Sequence, residues 1–164
     1  MIRLVRLSIE TLDALLAEDL DTARRLSGAA LTPYFIEHNW LWMIRRRQID
    51  VNPASGYWFA RAAVTEDDVV VGHVGFHGPP DERGMVEVAY SVDPAHRRQG
   101  LGRAMLSTAL DWAAAEPAVR VVRASISPEN AASLATLQPF GFTHVGEQWD
   151  EEDGLELLYE KTVR

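Results

Sequence analysis

A strand-like run from Met85 to Val92 leads through a short loop into a glycine-rich helix start, Arg97-Arg98-Gln99-Gly100-Leu101-Gly102-Arg103. The first N–H groups of a helix have no acceptor within the helix and carry partial positive charge, so such a junction suits a phosphate. Gly100 and Gly102 have no side chain and allow an anion to come close to the backbone. The sequence therefore predicts an anion-binding turn here, and we call residues 97–103 the glycine-rich segment.

The distribution of charge along the chain supports this prediction. From Pro94 to Leu110 the sequence has no acidic residue but contains three arginines. From Ala124 to Glu160 it has no lysine or arginine, and an acidic stretch runs from Glu147 to Asp153. The formal net charge of −8 argues against nucleic acid as a partner and favours a cationic one.

Spacing excludes the two best-known phosphate-binding motifs. A Rossmann dinucleotide site needs Gly-x-Gly-x-x-Gly directly after a strand. Here Met105 occupies the position of the third glycine, and several residues separate Val92 from Gly100. A P-loop needs Gly-x-x-x-x-Gly-Lys, which does not occur. The anion site is therefore expected to belong to another class of protein.

The rest of the chain alternates between strand-like and helical patterns. Strands are predicted over residues 2–7, 57–64, 69–77, 85–92, 119–126, 143–149 and 155–160, and helices over 9–26, 32–49, 100–115 and 128–138. Ser8, Thr32 and Ser127 are the expected caps of three of these helices. The order β-α-α-β-β-β-α-β-α-β-β predicts a mixed α/β fold, with one domain over residues 1–164.

Three segments in this order resemble the GNAT superfamily of N-acetyltransferases. The glycine-rich segment matches the signature of Arg or Gln, two residues, Gly, one residue, then Gly or Ala. The preceding run, Val86 to Pro94, is similar to the central bulged strand of the family. Asn130-Ala131-Ala132-Ser133, followed by Phe140-Gly141-Phe142, resembles its second cofactor motif. The resemblance covers essentially the whole chain, and implies a mainly antiparallel central sheet with helices on both faces.

The resemblance also implies acetyl-CoA as the acyl donor and assigns the residues that bind it. The pantetheine arm is expected to lie like an extra strand beside the backbone of Tyr90, Ser91 and Val92. The pyrophosphate is expected at the glycine-rich segment, chiefly on its backbone amides, with contributions from Arg97, Arg98, Gln99, Gly100, Leu101, Gly102 and Arg103. Asn130 is expected to hydrogen-bond the cofactor from the short helix.

Two residues are candidates for proton transfer. Glu87 stands in an otherwise apolar strand, where a carboxylate would be costly to bury unpaired, and it is the candidate base. The alternative is a glutamate at the strand edge or rim that pairs with an arginine. Many family members carry a tyrosine seven residues after the asparagine as general acid, but this position is Leu137 here. The sequence instead resembles the ribosomal-protein N-terminal acetyltransferase branch, which implies that Ser133 donates a proton to the departing sulfur.

Several other residues have both a functional and a structural interpretation. His73 and His77 would share one face of a strand and could relay protons, or could simply pack there. Phe35, Trp40 and Trp42 could wall an acceptor pocket, although core packing is expected for at least two of them. The acidic stretch could recruit a cationic acceptor at the closing hairpin or form a solvated turn.

The predicted reaction is transfer of an acetyl group to a primary amine, with a protein N-terminus preferred over a small molecule. An antibiotic or polyamine acceptor, and a catalytically silent acyl-CoA sensor, remain as alternatives. No metal, nucleic acid or membrane partner is expected, because the chain has no cysteine, no basic excess and no long apolar run. A cytoplasmic location and a possible homodimer complete the expectations.

Overall fold

The computed structural model describes all of residues 1–164, which form seven β-strands and six α-helices. The strands are β1 (Ile2–Arg6), β2 (Arg61–Thr65), β3 (Val70–Phe76), β4 (Met85–Val92), β5 (Val121–Ile126), β6 (Thr143–Asp150) and β7 (Gly154–Thr162). The helices are α1 (Ile9–Leu16), α2 (Leu20–Ser27), α3 (Pro33–Glu37), α4 (Asn39–Val51), α5 (Leu101–Ala115) and α6 (Ala131–Leu137). The predicted mixed α/β fold is confirmed.

All seven strands join one sheet in the order β1-β2-β3-β4-β5-β7-β6. Every neighbouring pair is antiparallel except β4 and β5, which are parallel. The parallel pair is short, since only residues 85–87 of β4 face residues 121–123 of β5. Beyond Glu87 the two strands separate, and this opening in the middle of the sheet positions the site described below.

Apolar side chains cover both faces of the sheet. A core of 18 buried residues, including Val86, Val88 and Met105, packs α5 against one face. A second core of 15 buried residues, including Phe35 and Trp42, packs α1 to α4 against the other. Val86 and Val88 of β4 therefore face α5, whereas the second core packs the other helices on β2 and the start of β3.

Two of the predicted helices are each divided in the structure. The region predicted as 9–26 breaks at Glu18, whose φ of 58° is left-handed, before Asp19 caps α2 by accepting from Thr22 N. The region predicted as 32–49 breaks at His38, between α3 and α4. Hydrophobic periodicity continues through both breaks, so the sequence pattern did not reveal them.

Two boundaries also differ from the predictions by more than two residues. Strand β2 begins at Arg61 rather than residue 57, because Pro53–Tyr57 form a 3-10 turn that carries the chain past this point. The N-cap of α6 is Asn130 rather than Ser127, since the side chain of Asn130 accepts a hydrogen bond from Ser133 N at 3.1 Å. Ser8 caps α1 as predicted, by accepting from Thr11 N.

None of the helices has the length and the apolar character that crossing a membrane requires.

Candidate active site

The glycine-rich segment forms a turn whose backbone amides have no partner within the protein. The N–H groups of residues 98–103 donate to no backbone carbonyl and to no side chain, whereas Ala104 N already donates to Gly100 O at 3.2 Å. Six consecutive free donors at the start of a 15-residue helix provide concentrated positive potential. The local structure thus matches the predicted anion site.

The conformation of this turn depends on two residues with left-handed backbone. Arg98 has φ of 63° and Gly100 has φ of 74°. Such residues turn successive N–H groups towards a common concavity that suits an anion. A Cβ atom added to Gly100 would meet nothing within 4 Å, and one added to Gly102 would come no closer than 3.6 Å to another residue. The space beside these glycines is therefore open to a ligand rather than filled by the protein.

The loop before the turn is fixed by Asp93, which is 8% exposed. Its carboxylate accepts from Thr32 Oγ1 at 2.9 Å and from Ala95 N at 3.0 Å. Thr32 precedes α3, so this contact ties the glycine-rich segment to the helices on the opposite face of the sheet. The side chain of Arg97 bends back and donates from Nε to Val92 O at 3.2 Å.

The opening between β4 and β5 exposes one edge of β4. Ser91 faces His73 of β3, and the bonds His77 N to Glu87 O and Asp93 N to Val71 O show that odd-numbered residues bond towards β3. Because bonding direction alternates along an antiparallel strand, Tyr90 and Val92 present their backbone groups to the opening. The backbone of Ser91 is turned towards β3 instead, so of the three predicted backbone contacts only two have the required orientation.

A cavity of about 730 Å³, which we call the glycine-loop cavity, occupies this opening and the space beside the turn. It is lined by Tyr90, Ser91, Val92, Asn130, Ser133 and all but Gln99 of the glycine-rich segment. Asn130 uses its side-chain oxygen to cap α6, so only its amide NH₂ is free to donate to a ligand. The hydroxyl of Tyr90 is buried close to the side chains of Ser133 and Thr136, without a hydrogen bond of regular geometry to either.

A second cavity of about 380 Å³ lies on the other face of the sheet, under α4. We call it the histidine cavity, because its wall includes His38, His73 and His77. Tyr90 and Ser91 line both cavities, which makes this part of β4 the place where the two meet. Leu137, at the position of the missing tyrosine, is 3% exposed in the core and lines neither cavity.

Two of the three histidines are hydrogen-bonded to each other. His38 Nδ1 and His73 Nε2 lie 2.8 Å apart, and the broken helix at His38 brings its ring to this position. Burial lowers the pKa of His73 to about 3, with further lowering by His38 and Arg45. Burial also lowers the pKa of His38. The pair is therefore neutral near pH 7. Beside the histidine pair, the hydroxyl of Tyr34 forms a hydrogen bond with the hydroxyl of Ser91.

Glu87 lies behind the third histidine rather than in the cavity wall. Its Oε2 atom is 3.7 Å from His77 Nδ1, and the side chains of Glu87 and His77 are 21% and 47% exposed. Glu87 is thus partly buried, and its neighbour is a histidine. His77 lines the cavity, whereas Glu87 does not.

The aromatic residues divide between core and cavity. Phe35 and Trp42 are fully buried, as predicted, and their rings stack at 5.9 Å. Trp40 is 57% exposed and, like Trp42, contributes to the wall of the histidine cavity. From the acidic stretch, Asp153 in the turn between β6 and β7 reaches the rim of this cavity. The other acids of that stretch do not line it.

Sequence reasoning missed two residues of the histidine cavity and one residue beside it. His38 and Arg45 line the cavity but belong to a helical region that carries no motif, and Tyr34 in α3 hydrogen-bonds to Ser91 of the cavity wall. Their only sequence signal is polar or aromatic character within an amphipathic pattern, which surface residues share. Their role follows from the packing of α4 across β3 and β4.

Comparison with known proteins agrees with this architecture. Residues 21–142 match the Acetyltransferase (GNAT) family. An uncharacterized N-acetyltransferase of Bacillus subtilis, YjdG, is 27% identical over 147 residues, which cover 84% of this chain and 86% of the relative. These matches concern sequence and extend beyond the glycine-rich segment.

Solved structures share the fold at lower identity. The aminoglycoside acetyltransferase AAC(6′)-Ib in complex with coenzyme A has a TM-score of 0.68 at 14% identity, covering 99% of this chain and 95% of that chain. The ribosomal-protein-S5-alanine acetyltransferase from Vibrio fischeri has a TM-score of 0.64 at 17% identity, covering 98% and 91%. Similarity at this level establishes the fold and leaves the acceptor open.

The fold, the split central sheet and the family match define an acyltransferase. The chain belongs to the Acetyltransferase (GNAT) family of N-acetyltransferases. The resemblance inferred from the glycine-rich segment, the strand before it and the second motif is therefore confirmed.

Proposed function

We propose that this protein transfers an acetyl group from acetyl-CoA to a primary amine that enters through the histidine cavity. The observation that carries the proposal is the meeting of two cavities at Tyr90 and Ser91. One cavity has the chemistry of a phosphate site, and the other is an aromatic-walled pocket of a size that admits a small amine or a peptide terminus. A donor and an acceptor held in them would approach each other through the opening in the sheet.

The residues of the glycine-loop cavity fit coenzyme A. The six free amides of residues 98–103 would hold the pyrophosphate, and the free edge of Tyr90 and Val92 would pair with the amide groups of pantetheine. The NH₂ group of Asn130 is available to donate to the pantetheine arm. Arg97, Arg98 and Arg103 add positive charge. Acetyl-CoA would supply the acetyl thioester in this arrangement.

An amine must lose a proton to attack a thioester, and the required free energy depends on its pKa. Near pH 7 a lysine-like amine with pKa about 10.4 costs roughly 4–5 kcal/mol, whereas an α-amine near 7.7–8.0 costs about 1 kcal/mol. This difference favours a protein or peptide N-terminus among the possible acceptors. Glu87 would act through His77, which receives the proton at the cavity wall while the carboxylate stabilises the resulting imidazolium.

Loss of the thiolate completes the transfer, as the new C–N bond replaces the C–S bond. Ser133 lines the glycine-loop cavity beside the hydroxyl of Tyr90. We propose that the Ser133 hydroxyl donates the proton that the departing sulfur receives. Tyr90 has a buried hydroxyl without a protein partner, so it can support Ser133 or interact with the bound thioester.

The experiment is to incubate the protein with acetyl-CoA and a panel of amines, and to follow the release of free CoA thiol. The panel contains short peptides with free N-termini, polyamines, aminoglycosides and simple amino acids. The proposal expects thiol release that depends on at least one amine, with acetylated product identified by mass spectrometry. Tight binding of CoA with no release for any amine would contradict it, and would favour a silent acyl-CoA sensor.

A further inference from the structure

Arg45 is a buried cation that faces the histidine cavity. It projects from α4, is 9% exposed, and contributes to the cavity wall. One nitrogen, Nη1, donates to Gln48 Oε1 at 2.9 Å, and the guanidinium lies 5.1 Å from the ring of Phe59. No carboxylate lies within 4 Å of it. Most of its five N–H groups are therefore left to be satisfied from the cavity.

A second buried arginine shows that this arrangement is not a general property of the core. Arg61 is 5% exposed, but it donates to Phe59 O at 2.8 Å and to Tyr57 O at 2.5 Å. Its guanidinium also lies 4.2 Å from the ring of Trp112, and it lines neither cavity. Arg61 donates to two backbone carbonyls, whereas Arg45 donates to one side-chain amide oxygen and otherwise faces the histidine cavity.

The other groups around Arg45 do not neutralise it. His38 and His73 are neutral, since burial lowers the pKa of each. Glu87 attracts Arg45 only from beyond ion-pair distance, and its own neighbour is His77. Asp153 also lines the cavity but forms no ion pair with Arg45. Burying a guanidinium without a counter-ion is costly, and an anion bound in the cavity would remove that cost.

We propose that Arg45 binds a carboxylate of the acceptor, so that the substrate is a primary amine that also carries a carboxylate. This inference rests on the proposed function, and it adds the chemical class of the acceptor. Arginine presents paired N–H groups that match the two oxygens of a carboxylate. With its carboxylate on Arg45, the acceptor would direct its amine towards Tyr90 and Ser91, where the cavities meet.

Two sources provide this chemistry, namely a free amino acid and a peptide N-terminus followed by an acidic side chain. The wild-type protein is tested with matched pairs: amino acids against their primary amides, and peptides with Glu at the second position against the same peptides with Gln. Acetyl-CoA is the donor and thiol release is measured. We expect the carboxylate member of at least one series to be preferred by about tenfold or more in kcat/KM, chiefly through KM.

The variant Arg45→Met keeps the length of the side chain and removes its charge. We expect it to abolish the preference within the pair, while CoA still binds. Arg47→Met is the control, because Arg47 is exposed on the same helix and does not line the histidine cavity. The melting temperature of each variant separates loss of folding from loss of recognition.

The outcomes distinguish this inference from the proposed function. If no amine supports thiol release, the proposed function fails. If amines are acetylated but both members of every pair react equally well, Arg45 has only a structural role and this inference is overturned. A preference that persists in Arg45→Met would overturn it equally, because another group would then bind the carboxylate. The comparison of pairs with the wild-type protein needs no variant, so it remains decisive if Arg45→Met does not fold.

Discussion

The imidazole nitrogens His38 Nδ1 and His73 Nε2 lie 2.8 Å apart, so one ring donates a hydrogen bond to the other. This pair connects α3 and α4 to the centre of the sheet, since His38 separates the two helices and His73 lies in β3. It is enclosed by the rings of Tyr34, Phe35 and Trp42, whose centroids lie 5.0–6.0 Å from that of His73. A proton added to both rings would place two positive charges side by side in an apolar environment.

This arrangement predicts acid sensitivity. The pKa of His73 is about 3 in the folded chain against 6.5 for an ordinary histidine, so between these values the unfolded state binds more protons. The free energy of unfolding should then fall as the pH is lowered below about 6.5, by up to about 1.4 kcal/mol per pH unit for this group. In His73→Phe the slope between pH 6.5 and 5 should be smaller, as measured by urea denaturation.

The control for this measurement is His144→Gln, which removes an exposed histidine from β6 and should keep the wild-type slope. Equal slopes for the wild type and His73→Phe would show that the acid sensitivity comes from other groups. Because His38 also has a lowered pKa, part of the slope should remain in His73→Phe.

Gly102→Glu is expected to weaken CoA binding more than about a hundredfold, because it places a negative charge and a side chain where the pyrophosphate is proposed to lie. The fold should be retained, since a Cβ atom at this position meets no atom closer than 3.6 Å. Isothermal titration with CoA measures the affinity, and thermal melting measures the stability.

Gly146→Glu is the matched control, because Gly146 lies in β6 outside both cavities and has open space around it. It should bind CoA like the wild type. Unchanged affinity in Gly102→Glu would remove the glycine-rich segment from the proposed cofactor site.

Glu87→Gln and His77→Gln are expected to lower kcat/KM for the same reason, since Glu87 is proposed to act only through His77. The loss should be about tenfold to a hundredfold, and greatest at low pH where few acceptor amines are already neutral. The double variant should lose little more than His77→Gln alone, because the two groups form one unit.

Multiplicative losses in this double-mutant cycle would indicate that the two residues act independently. A pH profile of Glu87→Gln identical to that of the wild type would exclude Glu87 from proton transfer altogether. Thermal melting of all three variants accounts for changes in stability.

Ser133→Ala is expected to lower kcat about tenfold near pH 7, with little change in the affinity for CoA. The side chain of Asn130 caps α6 by accepting a hydrogen bond from the backbone N–H of Ser133. This bond does not use the Ser133 side chain, so the substitution should leave the start of α6 intact. Above pH about 9 the difference should diminish, because a thiol with pKa about 8.5 leaves readily as the thiolate. A constant ratio between wild type and variant across this pH range would argue against proton donation by Ser133.

Tyr90→Phe provides a comparison within the same wall, because it removes only the unpartnered hydroxyl beside Ser133. If Tyr90 rather than Ser133 donates the proton, the pH-dependent loss should appear in Tyr90→Phe and be absent from Ser133→Ala.

The strands, the major helices and the anion turn could be predicted from the sequence because each depends on neighbouring residues. Alternation defined β4, and the glycines with their arginines marked the start of α5. The breaks at Glu18 and His38 could not be predicted in this way. Apolar periodicity continues across both, and packing against the sheet decides where each helix ends.

The surroundings of single residues also depend partly on the local sequence and partly on the tertiary structure. Leu137 departs from the family pattern in the sequence, and the structure explains its character by burial in the core. The sequence showed only that Glu87 would be costly to bury unpaired, and the pairing of β3 with β4 places His77 beside it. Strand register brings together residues ten positions apart along the chain, and no local pattern encodes that contact.

The sequence by itself determined that a glycine-rich turn joins a strand to a helix, because backbone amides at a helix start need no distant partner. Only the tertiary structure decided what faces that turn across the sheet. His38 and Arg45 come from α4 and the residue before it, His73 and His77 from β3 and the residue after it, and Asp153 from the β6–β7 turn. These residues meet because α4, β3 and the β6–β7 turn come together beside β4, and their common cavity exists only in the folded protein.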